Sequence, residues 1–155
     1  MSRRSGFRTL VVGVDGSPHS RRALAFVARL APAPAGRAVV VHVVEAVRSP
    51  SMPLVPASVR SRLVREVNAV NESRMRAAQR LVDAAASQLT KVGWRARGEV
   101  RVGVPALELL RAVDAARADL VVIGARGTGG VARLLLGSVA ETVLKRAPVS
   151  VLTVK

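Results

Sequence analysis

The sequence predicts an α/β fold, a single open five-stranded parallel sheet with helices on both faces, and two observations carry that prediction. Short β-branched runs alternate with longer stretches of helical periodicity along the whole chain, as in parallel sheets joined by helical crossovers. The runs are continuously apolar rather than alternating, which is how strands buried on both faces read. The 155 residues, half of them apolar, suit one domain over 1–155 with an ample core. Residues 1–7 read as a loose N-terminal arm and 48–58 as a Pro-rich loop.

The elements follow in order. Thr9–Val14 is a buried first strand, and Asp15-Gly-Ser-Pro is a turn with Ser17 as N-cap and Pro18 at the first helical position. Ala23, Leu24, Val27 and Leu30 recur at helical spacing until Ala31-Pro-Ala-Pro stops them. Ala38–Val44 is the second strand. Pro50, Pro53 and Pro56 break the loop that follows. A long helix runs from about Val59 to Val92 and ends at Gly93. Arg95–Val102 alternates charged and apolar residues, the mark of an edge strand with one wet face. Gly103-Val-Pro leads into a third helix, about Pro105–Ala116, with Leu107, Leu110 and Val113 turned inward. Asp119–Gly124 is the fourth strand. Gly137–Arg146 is the fourth helix, with Val139, Val143 and Leu144 inward, and Pro148 separates it from the fifth strand, Val149–Val154.

Composition excludes several classes. No apolar run reaches the roughly 18 residues of a membrane span. The basic N-terminus leads into a strand and not into a secretory signal. There is no cysteine, which removes disulfides and thiolate ligands and fits a cytoplasmic protein. No His, Asp or Glu cluster has metal-ligand spacing. His42 lies within the second strand and reads as a packed histidine rather than a catalytic one. The net charge of +15 attracts nucleic acid non-specifically. Yet the arginines are scattered, and one Trp, two Phe and no Tyr cannot build a stacking platform. A solvated Arg-rich surface is the favoured reading over a nucleic-acid role.

The chemistry-bearing segment is Leu120-Val-Val-Ile-Gly-Ala-Arg-Gly-Thr-Gly-Gly-Val-Ala-Arg-Leu-Leu-Leu-Gly-Ser. An apolar strand ends in Gly124, Gly127 follows after two residues, and Gly137-Ser138 after nine more. A glycine loop between a strand and a helix N-terminus is suited to phosphate. The backbone approaches the ligand closely, and the first N–H groups of the helix point at an anion with the helix dipole behind them. Ser138 and Glu141 also spell a capping box, which requires no ligand. No Walker A lysine is present, and Gly13-x-x-Gly16 is not the dinucleotide fingerprint.

The G-x2-G-x9-G-S run, the opening Leu10-Val-Val-Gly-Val-Asp-Gly-Ser and the closing Ala147-Pro-Val-Ser-Val-Leu-Thr-Val resemble the universal stress protein family. The likeness spans roughly Arg8 to Val154 and is to the ATP-binding branch, which the glycine run marks. It implies a Rossmann-like, adenine nucleotide alpha hydrolase-like sheet of order 3-2-1-4-5. Strands one and four then lie side by side, where the winding direction reverses and ligands bind. It implies an adenine end against Gly13, Val14 and Val43, with Asp15 accepting from the ribose hydroxyls. Asp15 alone reads equally as a turn-forming residue. It implies Ile123 and Gly124 at the ribose and first phosphate, with Gly127, Gly137, Ser138 and Val139 as backbone donors to the phosphates. Arg126 and Arg133 are either phosphate clamps or solvated loop arginines.

The expected cofactor is ATP, accompanied by Mg²⁺, with other adenine nucleotides, cyclic AMP among them, as further ligands. The resemblance also implies a homodimer paired through strand 149–154. The leading function is therefore an ATP-binding regulatory protein of the stress response, with slow or no hydrolysis. Its competitors are a nucleotide hydrolase and a basic adaptor for nucleic acid or an acidic partner.

Overall fold

The computed structural model describes residues 6–48, 51, 54–128 and 136–155. Nine elements alternate: β1 (Thr9–Gly13), α1 (Pro18–Arg29), β2 (Arg37–Val44), α2 (Ala57–Lys91), β3 (Arg95–Val102), α3 (Pro105–Ala116), β4 (Leu120–Gly124), α4 (Ser138–Arg146) and β5 (Ser150–Val154). All strands are parallel and the order is β3-β2-β1-β4-β5, as the family resemblance implied. The Arg95–Val102 strand lies at an edge, as its alternation predicted. Residues 1–5 of the arm, Pro50 and Pro53 of the loop, and Gly129, Gly130 and Arg133 of the glycine loop lie outside the described residues.

The two-sided core follows from the apolar rows. In β1 and β2 successive side chains point to opposite faces. Leu10, Val12, Ala38 and Val40 pack with α1 and α2, around Val27, Val82 and Leu89. Val11, Val39, Val41, Val121 and Ile123 pack with α3 and α4, around Leu109, Val113 and Val143. Most of these side chains are wholly buried, and each buried Val, Leu or Ile contributes roughly 1.5–3 kcal/mol of hydrophobic stabilisation.

Two helix faces depart from the sequence reading. In α3 the buried apolar residues are Ala106, Leu109, Ala112 and Val113, while Leu107 and Leu110 lie half-buried on the flank. Small alanines bring α3 close to the sheet, and size alone misdirects the eye to the leucines. In α4 Ala140 and Val143 are buried and Leu144 is exposed. The predicted capping box is absent: Gly137 is the N-cap, without a side-chain cap, and Glu141 pairs with Lys145 instead.

Gly98 in β3 shows how closely α2 lies on the sheet. A Cβ at this position would sit 2.8–2.9 Å from the side chain and carbonyl carbon of Val82, closer than packed atoms tolerate. Gly98→Ala is therefore expected to cost about 1–3 kcal/mol, the usual range for overpacking, read as a lowered midpoint in urea unfolding. An unchanged midpoint would mean that α2 yields at no cost.

Candidate functional site

At the carboxyl ends of the strands a cleft of about 560 Å³ opens on the α3 and α4 side of the sheet. It lies where the winding reverses between β1 and β4. Eleven of the twelve residues singled out in the sequence line it: Gly13, Val14, Asp15, Val43, Ile123, Gly124, Arg126, Gly127, Gly137, Ser138 and Val139. The twelfth, Arg133, lies outside the described residues.

The turn after β1 is fixed by its own polar side chains. Asp15 Oδ1 accepts from the Ser17 N–H at 2.9 Å, and Ser17 Oγ accepts from the Ser20 N–H at 3.1 Å, capping α1 as predicted. Burial pushes the Asp15 carboxyl up, but the Ser17 hydroxyl and N–H, the Ser20 hydroxyl and the Thr128 N–H act against it and hold its pKa below the ordinary value. The carboxylate is thus ionised and bonded to Thr128 of the glycine loop. Gly127 lies against it: a Cβ there would be 2.7 Å from Asp15 Oδ2.

The glycines serve different purposes. A Cβ on Gly124 would meet the backbone of His19 and Ser20 at 2.7–2.8 Å, so this glycine admits the first turn of α1. A Cβ on Gly13 would meet Ile123 and Leu109 at 3.0–3.4 Å. The Gly137 N–H donates to the Ala125 carbonyl at 2.8 Å. That bond takes the donor the sequence reading assigned to an anion, and it turns the chain into α4. The next N–H groups, on Ser138 and Val139, carry no side-chain cap. An uncapped helix start presents donors and the positive end of the dipole to the cleft.

Two walls were not legible in the sequence. Val104, Pro105 and Ala106 line one side, behind which the buried Glu108 pairs with Arg101 and Arg111. Glu45 lines the other, in a strap that leaves β2 along α2. The Asn71 amide holds both the N–H and the carbonyl of Val47, each at 2.9 Å, and Arg74 donates to the Glu45 carbonyl at 3.1 Å. His42 also faces the cleft. Its Nδ1 lies 2.7 Å from the Val14 carbonyl oxygen, an acceptor, so Nδ1 carries the hydrogen.

Among the described residues no group of three or more His, Cys, Asp or Glu can hold a metal ion. No described helix is long and apolar enough to cross a membrane.

The universal stress protein family matches residues 6–155. A universal stress protein of Thermus aquaticus, encoded 3′ of a QAH/OAS sulfhydrylase, is 35% identical over 150 residues, covering 96% of this chain and 99% of its own. The solved structure of protein MJ0577 from Methanocaldococcus jannaschii superposes with a TM-score of 0.80 at 22% identity, over 96% of this chain and 95% of its own. A universal stress protein solved in complex with cAMP superposes at 0.60 with 27% identity, over 97% and 98% of the two chains.

The Asp15 bonds make stability depend on pH. A carboxyl whose folded pKa is depressed stabilises the fold above its unfolded pKa, and the contribution fades as pH falls through the folded value. The wild type should therefore lose stability as pH drops below about 4. Asp15→Asn should flatten that part of the profile, with little change below it. Parallel profiles in urea titrations at pH 3, 4, 5 and 7 would remove Asp15 from the acid response.

Proposed function

The chain belongs to the universal stress protein family, and from that premise we propose that it is an adenine-nucleotide-binding regulatory protein whose ligand is ATP. The observation that carries this reading is the meeting, in one cleft, of the Gly124–Gly127–Gly137 loop, the uncapped start of α4 and the ionised Asp15. Phosphate-binding and diol-binding chemistry lie together at the switch point. The related protein solved with cAMP supports an adenine ligand.

In this reading the adenine lies against Gly13, Val14 and Val43, facing the Val104–Ala106 wall. Asp15 accepts from the ribose hydroxyls. Ile123 and Gly124 border the ribose and first phosphate. The N–H groups of Gly127, Ser138 and Val139 hold the phosphates, with the Ser138 hydroxyl adding a donor and Gly137 supplying the turn. Arg126 and Arg133 clamp the terminal phosphates. Mg²⁺ arrives with the triphosphate, held by phosphate oxygens and water more than by protein. The chain offers no activating lysine, so occupancy rather than turnover is the output and hydrolysis is slow or absent. The 1–155 domain works in the cytoplasm, in the stress response, as a homodimer paired through the edge strand 149–154.

Calorimetric titration at 150 mM salt tests the reading, with inorganic triphosphate as the control. One ATP–Mg²⁺ per chain, bound far more tightly than triphosphate, is expected. Equal binding of both, or neither, would overturn it. Gly127→Val should abolish ATP binding in a chain that stays folded by circular dichroism, with a lowered thermal midpoint, because the new side chain presses on Asp15. Retained affinity would sink the phosphate-loop assignment.

A further inference from the structure

Beyond β2 the chain leaves its strand neighbour. Val44 and Val102 are the last register pair of β2 with β3, and the Gly103 N–H donates to the Val44 carbonyl at 3.1 Å before the chain turns into α3. Backbone groups that lose a ladder need another partner. For Val47 that partner is Asn71 in α2. Its Oδ1 accepts from the Val47 N–H and its Nδ2 donates to the Val47 carbonyl, each at 2.9 Å. A carboxamide carries an acceptor and donors in one plane, so it pairs with Val47 as a residue of an adjoining strand would. Asparagine is a weak helix former, and this one, half-buried in α2, engages its amide outside the helix. Arg74, three residues on, donates to the Glu45 carbonyl at 3.1 Å.

The segment held in this way is a partition. Asp15, His42, Val43 and Glu45 line the cleft and also a second cavity of about 380 Å³. That cavity lies on the α2 side, where the short side chains of Ala77 and Ala78 leave space. The wall between the two is the end of β2 and its extension, one chain thick. Ladder bonds fix it as far as Val44, and the α2 side chains fix it beyond.

We propose that Asn71 is a positioning residue for the base end of the cleft: standing in for a strand beside Val47, it keeps Glu45 in the cleft wall, although it lines neither cavity itself. The inference rests on the nucleotide reading above. Without the amide the strap moves into the second cavity or out to solvent for part of the time. Binding must then select the closed wall, and affinity falls with the fraction of chains that have it. The phosphate end is built from the glycine loop and the start of α4 and contains no part of the strap. The loss is therefore local: affinity for base and ribose falls, and affinity for phosphate does not. The coupling is also reciprocal. Adenosine against the wall tightens the Asn71–Val47 pair, and inorganic triphosphate leaves it unchanged.

The test uses the full chain, with adenosine and inorganic triphosphate as separate probes of the two ends. Asn71→Leu removes both bonds and suits a helix. It should weaken adenosine about tenfold, the order expected when two ordinary hydrogen bonds no longer hold the wall, and leave triphosphate unchanged, with wild-type circular dichroism. Arg74→Met should act in the same direction and less strongly. Arg62→Ala, an exposed change elsewhere in α2, should alter neither affinity. Without any ligand, the Val47 amide should exchange slowly with deuterium in the wild type and fast in Asn71→Leu, and adenosine should slow it further in the wild type. Equal loss for both probes would make Asn71 a residue of the fold alone and overturn the proposal. So would a Val47 amide that exchanges equally fast in both proteins. A wild type that binds neither adenosine nor ATP overturns the nucleotide reading and the inference with it. A wild type that binds adenosine no better than Asn71→Leu does overturns the inference alone.

Discussion

The close approach of α1 to Gly124 is the constraint on which the site depends. No Cβ fits between β4 and the backbone of His19 and Ser20. With glycine there, the first turn of α1 rests directly on the end of β4. That contact carries the Asp15–Ser17 turn over the glycine loop, where Thr128 bonds the Asp15 carboxylate and the Ser17 hydroxyl reaches the Arg126 carbonyl at 3.4 Å. Segments more than a hundred residues apart thus form one rim. The glycine that looks like a phosphate residue in the sequence is first a packing residue, and the position of the loop is a consequence.

Much of the fold was legible because parallel strands buried on both faces leave an unbroken apolar record. Leu10–Val12 and Leu120–Ile123 are buried throughout, and no polar residue interrupts either run. The order of strands was not in the periodicity at all; it came from the family resemblance. Helix faces were read less well. Alternation of large and small residues does not say which lie closest to a sheet, and in α3 the alanines do while Leu107 and Leu110 flank them. The Ser138–Glu141 capping box failed for a local reason. Gly137 bonds Ala125 and begins the helix one residue early, so Ser138 is already inside it.

The candidate site divides in the same way. Its glycine loop and Asp15 are local motifs and stood out in the sequence. The walls are tertiary. Asn71 and Val47 are 24 residues apart, and nothing in either neighbourhood announces that an asparagine amide will replace a strand as the partner of Val47. Glu108 reads as a surface residue of an amphipathic helix until Arg101 and Arg111 are seen to enclose it. Arg111, three residues on in α3, has the helical spacing of a pair, but Arg101 comes from β3 across a turn and has none.

The charge of the cleft poses a last physical question, which the turn after β1 answers. The proposed anion site keeps an ionised carboxylate, and the two charges must not oppose each other. Asp15 meets this in part through its own turn: the Ser17 N–H donates to Oδ1 at 2.9 Å and the Thr128 N–H adds to it, and each draws charge density away from the open cleft. Its neighbours also set direction. The loop and the start of α4 present donors on one side of Asp15, while on the other the strand ends and the Val104–Ala106 wall are largely apolar. For the nucleotide proposed above, with an anionic end, a hydroxylated middle and a flat apolar end, this arrangement favours one orientation, with the carboxylate opposite the hydroxyls.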